Sequence, residues 1–192
     1  SSGRTGEASP RRRALPRRER RLPKPPTEAF TVAVDTRERN GAYSWEGVPC
    51  QEATLVAGDY SIIGMEQVVC VERKAYADFY GCLTAGRERF ENSLHRLAAV
   101  RYPLVVIEAS MEDFLKPYTY VATGGWPTRS RLPPRVAQGS LLSWQSRFRI
   151  PMLLCGERNA AARMTLQHLE MAWRLETEDG RQLRRERREA LR

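Results

Sequence analysis

The sequence predicts a layered α/β domain around a mixed central sheet, on the basis of three observations. Two continuous apolar runs, LVVIEA at 104–109 and IPMLLC at 150–155, are typical of strands buried on both faces. Residues 159–175 repeat apolar side chains at helical spacing, which predicts a helix with one apolar face. Two extended segments flank a turn at 64–66 and predict an antiparallel hairpin. Strands that alternate with helices indicate helices packed on a sheet.

The N-terminal half supplies the antiparallel part of this sheet. Residues 30–36, FTVAVDT, alternate apolar and polar side chains and predict the first strand. Residues 59–63 and 67–74 form the two arms of the hairpin, and the second arm opens with a β-branched, apolar run. Residues 40–49, NGAYSWEGVP, are expected to form a loop, and residues 51–58, QEATLVAG, lead into the hairpin.

The middle of the chain combines helices with a long connection. Residues 77–100 repeat apolar side chains at helical spacing, with Gly81 and Gly86 as candidate interruptions. The segment MEDFL predicts a short helical turn, and residues 135–147 predict a helix. Residues 116–134 contain four prolines and two glycines, and we expect a long exposed loop there.

The net charge of +9 is concentrated at the two ends of the chain. Residues 1–28 carry nine Lys/Arg against three Asp/Glu, and residues 181–192 carry six Arg against two Glu. We therefore expect a disordered, basic Arg/Pro-rich tail at 1–28, a folded domain at 29–176 and a basic C-terminal tail at 177–192. Basic tails contact nucleic acid phosphates or anionic membrane; solvated extensions are the alternative.

Several classes of protein are disfavoured by composition. The four cysteines form no C-x-x-C pair and there are only two histidines, so we expect no structural zinc site. Isolated cysteines in apolar runs are typical of a reducing compartment. No apolar run approaches the roughly 18 residues of a membrane span, and no signal peptide is recognised. We expect an intracellular protein, in cytoplasm or nucleoid if prokaryotic or phage and in the nucleus if eukaryotic.

Carboxylates and a lysine converge at one end of the predicted hairpin. A turn at 64–66 places Asp59 opposite Val71 or Glu72, with Cβ atoms of opposed residues roughly 4.5–5.5 Å apart. Glu72 and Lys74 share one face of their strand because strand side chains alternate. Two more carboxylates could join them, at the end of the first strand and in the first turn of the following helix: Asp35 and Asp78.

Such a cluster is typical of a metal-dependent phosphodiesterase. Crowded carboxylates repel one another, and a hard divalent cation with oxygen ligands relieves the repulsion. A lysine beside the metal can orient the attacking water or stabilise charge on phosphate. Simpler interpretations remain open: a surface ion pair for Glu72 and Lys74, a helix N-terminal charge for Asp78 and a turn residue for Asp35.

The combined motif resembles the nuclease domain of the XPF family of structure-specific DNA endonucleases. The matching segments are DTRE at 35–38, GDY at 58–60 and VERKAYAD at 71–78, followed by Gly86-Arg87. The resemblance covers about residues 30–175. It implies a restriction-endonuclease-like core and Mg²⁺- or Mn²⁺-dependent hydrolysis of DNA. The expected substrates are branched DNA or single-strand/duplex junctions such as flaps and forks.

The resemblance also implies roles for individual residues. Asp59 and Glu72 would be the main metal ligands, with Asp35 near the metal, and Lys74 would orient the nucleophilic water. The implied catalytic set is Asp35, Asp59, Glu72, Arg73, Lys74 and Asp78. Glu38 and Arg37 would support the end of the first strand, with Arg37 and Arg87 also expected at the DNA.

The loop at 117–134 is a second candidate DNA contact. It mixes aromatic side chains with Arg129 and Arg131, and such mixtures stack on exposed bases. A packed surface loop is the alternative interpretation. The expected partner is DNA, with a homodimer or a partner subunit and no membrane.

The sequence departs from the XPF pattern in one respect. No tandem helix-hairpin-helix segment is recognised after the nuclease region, so the chain resembles a compact phage or prokaryotic form. Two further hypotheses share the fold: a catalytically silent DNA-binding or scaffold subunit, and a sequence-specific restriction enzyme. The presence of Asp59, Glu72, Lys74 and Asp78 argues against the silent form.

Overall fold

A computed structural model describes residues 29–38, 41–121 and 127–189 and contains eight strands within them. The strands are β1 (Val32–Asp35), β2 (Cys50–Ala53), β3 (Tyr60–Ile62), β4 (Val69–Ala75), β5 (Tyr102–Glu108), β6 (Thr119–Val121), β7 (Pro127–Arg129) and β8 (Met152–Leu154). Six strands form the main sheet in the order β2-β1-β3-β4-β5-β8, and β6 pairs with β7. The β1–β3 and β3–β4 pairs are antiparallel and the other pairs of the main sheet are parallel. The predicted mixed sheet is confirmed.

Helices cover both faces of the sheet. They are α1 (Tyr76–Cys82), α2 (Arg87–Leu97), α3 (Met111–Leu115), α4 (Pro134–Phe148), α5 (Arg158–Glu176) and α6 (Glu178–Glu189). One face packs Val105 and Ile107 of β5 against aromatic side chains of α1 to α4, among them Phe79 and Trp144. The other face packs Leu104 and Val106 of β5 against α5. Alternate β5 side chains therefore enter two cores, which explains its continuous apolar run. Within the described residues, no helix is long and apolar enough to cross a membrane.

The predicted hairpin register is confirmed by backbone pairing. Tyr60 lies opposite Val71, and the Asp59 N–H donates to the Val71 carbonyl at 2.8 Å. Asp59 therefore lies at the start of β3, level with the point where β4 passes from apolar to charged residues. The hairpin pairing places Asp59, just before β3, and Glu72 of β4 at one end of the sheet.

The predicted helix at 77–100 is divided, as the two glycines suggested. The Gly86 N–H donates to the Gly81 carbonyl at 3.0 Å between α1 and α2. A Cβ at Gly86 would lie 3.0 Å from that same carbonyl oxygen, closer than ordinary packing allows. Glycine at this position permits the tight turn that redirects α2.

Three short strands, β2, β6 and β7, were not predicted from the sequence. β2, with the sequence CQEA, is largely exposed and pairs in parallel with β1 at the sheet edge. β6 and β7 form an antiparallel pair within the expected loop at 116–134. The prediction of a loop throughout 116–134 was wrong at β6 and β7, and β2 was not predicted, because short polar edge strands carry little hydrophobic pattern and form by pairing with a neighbour.

The C-terminal segment expected as a tail forms α6 over Glu178–Glu189. Gly180 is buried, and a Cβ there would lie 2.5 Å from the Cα of Arg174 and 2.7 Å from the Trp173 carbonyl oxygen. α6 thus packs closely on the end of α5. The expected tail at 1–28 lies outside the described residues.

Candidate active site

The candidate site begins at the paired ends of β3 and β4. Gly58 precedes Asp59 with φ of +71°, and a Cβ on Gly58 would lie 2.9 Å from the Val71 carbonyl oxygen. Both the left-handed backbone and the close approach require glycine. This turn brings Asp59 against β4, where Glu72 is 8% exposed.

Asp59 is held by the backbone of the opposite strand. Its Oδ2 accepts a hydrogen bond from the Arg73 N–H at 2.7 Å. Burial raises the pKa of Asp59, and the nearby Glu72 carboxylate raises it further. Two neighbouring carboxylates in a partly buried environment repel each other, and a bound cation would relieve this repulsion.

Lys74 supplies positive charge beside this pair. Its Nζ donates to Glu72 Oε1 at 2.6 Å, and its ammonium lies 5.2 Å from the centre of the Phe90 ring. Burial alone would lower the pKa of Lys74, but the Glu72 carboxylate outweighs it and the pKa is raised. Lys74 therefore stays protonated and acts as a fixed cation in the site.

Arg73 faces away from Glu72 and Lys74 because strand side chains alternate. Its guanidinium bonds Glu38 Oε1 at 2.7 Å and Glu108 Oε1 at 2.8 Å, and lies 5.3 Å from the centre of the Tyr43 ring. The Tyr43 hydroxyl donates to Glu108 at 2.8 Å. Arg73 thus ties the end of β4 to the end of β5 and to the segment after β1.

Glu108 was not singled out from the sequence. Burial alone would raise the pKa of Glu108, but hydrogen bonds from Arg73 and Tyr43 outweigh it and lower the pKa. Arg158 at the start of α5 also lies within 3.7 Å of Glu108. The sequence offered one indication of this role: Glu108 is a charged residue at the end of the apolar strand β5, which lies beside the strand of Arg73.

Asp35 has a different environment from the pair. Its Oδ1 accepts hydrogen bonds from the Arg37 N–H and Nε, and its Oδ2 accepts from an Arg37 terminal nitrogen and the Leu55 N–H. Burial raises its pKa, but these bonds outweigh it and lower the pKa. These four hydrogen bonds fix the end of β1, where the Asp35 N–H donates to the Asp59 carbonyl at 2.9 Å.

A groove of about 420 Å³ opens over Asp59, Glu72 and Lys74. One wall comes from α2, which contributes Arg89, Ser93 and Arg96. The other rim includes Arg37, which follows β1 and whose side chain is 67% exposed, and Val56, which precedes β3 and is also 67% exposed. The groove thus has an acidic floor and basic walls.

The α2 wall was missed in the sequence analysis. Arg89, Ser93 and Arg96 are spaced by four and three residues, so they lie on one face of the helix. Arg96 donates to the Ser93 hydroxyl at 3.0 Å. The spacing of these polar residues could have predicted a basic helix face, whereas apolar periodicity indicates only the face that packs on the core.

A second depression of about 430 Å³ adjoins the first and shares Asp59 and Lys74. Asp78, in the first turn of α1, lines it together with Glu38 and Gly86. The structure therefore brings Asp78 to the candidate site, at its margin and exposed to solvent.

The predicted DNA-contacting arginines occupy different places. Arg87 lies between α2 and α4: it bonds Glu91 at 3.2 Å and Ser140 at 3.2 Å and lies 4.9 Å from the centre of the Trp144 ring. It lines neither depression. Arg129 and Arg131 are exposed at and after β7, also outside both depressions.

The donor set fits a hard divalent ion such as Mg²⁺. Among the described residues no three His, Cys, Asp or Glu side chains come together as a metal cage. Mg²⁺ does not require one, because it is commonly held by one or two carboxylates together with waters and substrate phosphates. Asp59 and Glu72 provide two carboxylates at the floor of an open groove, and the unfavourable proximity of their charges favours a cation there.

Fold and site together define a restriction-endonuclease-like domain of the XPF type. The family model of the ERCC4 domain matches residues 34–168, and the chain belongs to this family. No curated protein sequence matches the chain significantly. The resemblance inferred from the GD and ERK motifs is thereby confirmed.

Two solved structures share the fold. XPF from Aeropyrum pernix is 20% identical with a TM-score of 0.56, over 80% of this chain and 69% of that chain. XPF from Aeropyrum pernix in complex with DNA is also 20% identical with a TM-score of 0.56, over 74% of this chain and 64% of that chain. The chain thus spans about two thirds of the length of these structural neighbours, and the restriction-endonuclease-like fold is confirmed.

Proposed function

We propose that the chain is a Mg²⁺- or Mn²⁺-dependent DNA endonuclease that hydrolyses phosphodiester bonds in branched or junction DNA. The ERCC4 domain indicates a nuclease. The observation that carries the proposal is the close pair of Asp59 and Glu72, with Lys74 bonded to Glu72, on the floor of a groove with arginine walls.

Asp59 and Glu72 would hold the metal, which when bound polarises a phosphoryl oxygen and lowers the pKa of a coordinated water. Lys74 holds Glu72 in place through its hydrogen bond and keeps a fixed positive charge near the scissile phosphate. Arg73 holds the β4 backbone by its ion pairs, and that backbone N–H in turn positions Asp59. Asp78 at the margin is positioned to support the site from α1.

The arginine walls suit a nucleic acid strand. Arg89 and Arg96 on one side and Arg37 on the other are spaced around a carboxylate floor that would repel phosphate without a cation. A phosphodiester chain lying in the groove would place one phosphate above Asp59 and its neighbours beside the arginines. We propose these residues, in place of Arg87, as the phosphate contacts nearest the site.

The preference for flaps and forks is proposed from the family membership, together with a homodimer or partner subunit. The Aeropyrum XPF structure in complex with DNA supports the choice of DNA as substrate. We propose that a strand leaving the duplex would pass over the second depression, which Lys74 and Asp78 line.

Cleavage of a labelled DNA panel tests the proposal. The panel contains linear duplex, single strand, 3′ flap, 5′ flap, fork and four-way junction, with Mg²⁺, Mn²⁺ or EDTA. We expect metal-dependent cutting of flaps or forks by the unaltered chain and a loss of about 100-fold or more for Asp59→Ala.

Glu72→Gln and Glu52→Gln form a matched pair, because Glu72 lies in the groove and Glu52 is exposed on β2. Only Glu72→Gln should lose activity. DNA binding without cutting under every metal condition, with no difference between these variants, would favour the silent scaffold subunit. Cutting of one linear sequence alone would favour a restriction enzyme.

A further inference from the structure

We propose that α6 is a second DNA-backbone-binding surface, separate from the groove. Its exposed arginines Arg181, Arg185 and Arg188 line an open concavity of about 500 Å³ together with Leu175 and Glu178. The proposal goes beyond the nuclease site, because none of these residues lines the groove over Asp59 or its neighbouring depression.

The spacing of the arginines matches a phosphate backbone. Steps of four and three residues place all three on one helix face, and a rise of about 1.5 Å per residue spreads them over roughly 10 Å. Along one DNA strand the phosphates repeat every 3.4 Å or so of helix axis, so this length covers about three phosphates. Three guanidinium groups on one side of α6 therefore fit one short stretch of backbone.

The positive charge on this face is largely uncompensated. Some arginines elsewhere pair with carboxylates, as Arg101 does with Glu176, whereas the described part of α6 has no ion pair at Arg185 or Arg188. Glu186 instead accepts a hydrogen bond from Gln182. Glu178 is the acidic residue of the concavity, which leaves an excess of two positive charges there.

The surface is held in place by the junction between α5 and α6. The Thr177 hydroxyl donates to the Trp173 carbonyl at 2.8 Å and accepts from the Gly180 N–H at 3.0 Å. Arg181 donates to the Glu176 and Thr177 carbonyls, so its aliphatic stem is fixed at the start of α6. A preorganised helix loses less conformational entropy on binding than a disordered tail.

α6 attaches at the opposite end of the sheet from the groove. Glu176, just before it, accepts from the Tyr102 hydroxyl at 2.6 Å, and Tyr102 is paired with Val69 at the start of β4. Lys74 lies five residues further along that strand, roughly 16 Å away at about 3.3 Å per residue. DNA that contacts both surfaces must therefore extend well beyond the cut phosphodiester.

Duplex DNA is favoured over an anionic membrane as the occupant. A helix that lies in a membrane interface needs an apolar face. In the α6 sequence, EDGRQLRRERRE, Leu183 is the single large apolar residue. Binding to the closely spaced phosphates of a DNA backbone requires positive charge and no apolar face.

Fluorescence anisotropy of the full chain in EDTA tests the surface apart from cleavage. The probe is a labelled duplex of about 30 base pairs, long enough at 3.4 Å per base pair or so to reach both surfaces. Arg185→Ala/Arg188→Ala should weaken binding roughly tenfold at about 0.1 M salt and reduce the slope of log K against log salt by about 2. The control Arg135→Ala/Arg163→Ala removes equal charge from exposed positions on α4 and α5 and should change binding less than about twofold.

A second pair of variants tests the placement of α6. Gly180→Ala should displace the helix and reproduce much of the loss in affinity, whereas Gly139→Ala meets open space on α4 and should not. Equal losses for the arginine pair and its control would overturn the proposal. So would unchanged DNA binding combined with lost binding to phosphatidylserine vesicles. Because binding is measured without metal, an inactive groove and a failed α6 surface give different results.

Discussion

Neighbouring side chains on β4 point to opposite faces of the sheet and therefore have different roles. Glu72 and Lys74 face the groove, whereas Arg73 between them faces Glu38 and Glu108 on the other side. Arg73 also offers its backbone N–H to Asp59. A single residue therefore links the ion-pair cluster on one side of the sheet to the carboxylate geometry on the other.

At Arg73 we predict a loss of stability. The Arg73 side chain is only 14% exposed. Arg73→Gln therefore leaves the carboxylates of Glu38 and Glu108 without their shared cation in a mostly buried environment, and we expect the free energy of unfolding to fall by about 3 kcal/mol. Urea denaturation measures this. Arg135→Gln, at an exposed position on α4, should change it by less than about 0.5 kcal/mol. Equal midpoints for the two variants would contradict the proposed structural role.

At Gly58 we predict an effect of geometry. Gly58→Ala combines a left-handed backbone with a Cβ 2.9 Å from the Val71 carbonyl oxygen, and we expect a loss of about 3 kcal/mol and of cleavage. Gly64→Ala has φ of +81° but meets open space, so it should lose only about 1 kcal/mol. Urea denaturation of both variants separates the effect of the close contact with Val71 from that of the backbone strain. Similar losses of unfolding free energy for the two variants would show that the contact is unimportant.

Among the elements, the short helix α3 depends on its cap. The Ser110 hydroxyl accepts from the Asp113 N–H at 3.1 Å, and Asp113 Oδ2 accepts from the Ser110 N–H at 2.7 Å. This capping box holds Phe114 against the core of α1 and α4. Five residues form too few hydrogen bonds to be stable as an isolated helix, so the cap and the packing of Phe114 support each other.

Removal of the α3 cap should reduce the stability of the folded chain. Ser110→Ala should lower the free energy of unfolding by about 1 kcal/mol, because the Asp113 N–H loses its acceptor. Ser146→Ala, exposed in the last turns of α4, should cause no loss since alanine favours helix. Thermal denaturation compares the two. A larger loss for Ser146→Ala would show that the cap does not stabilise α3.

For the whole molecule, the contribution of His168 to stability should be lost in mild acid. His168 on α5 lies with its Nε2 3.1 Å from the Tyr102 carbonyl of β5, and burial lowers its pKa from 6.5. The unfolded chain binds a proton at His168 as the pH falls through about 6.5, before the folded chain does. The contribution of His168 to the free energy of unfolding should therefore fall as pH decreases below about 6.5, whereas the raised pKa of Asp59 acts in the opposite direction.

His168→Gln tests this linkage. The unfolding free energy of the unaltered chain minus that of the variant should decrease between about pH 7 and pH 5. His95→Gln replaces the chain's other histidine, which is exposed on α2, and serves as the matched control. Parallel curves for His168→Gln and the unaltered chain would mean that the buried histidine is not the source of the acid sensitivity.

The fold was predictable wherever burial leaves a strong pattern. The strand at 104–109, the hairpin through Tyr60 and Val71 and the helix at 159–175 follow from apolar runs, alternation and helical spacing. β2 and the β6–β7 pair were not predictable in this way. Their stability comes from pairing with a neighbouring strand, and an exposed polar strand has no local signal that separates it from a loop.

The sequence by itself determined the mixed sheet, the hairpin register and the convergence of Asp59 with Glu72 and Lys74, because strand alternation and turn position are local properties. Tertiary structure alone decided which charges pair. It engaged Asp35 with Arg37, turned Arg87 towards Trp144, set Glu108 on Arg73 and placed Arg89 over the groove. Such pairings join residues far apart in sequence, and their partners become known only when the helices pack on the sheet.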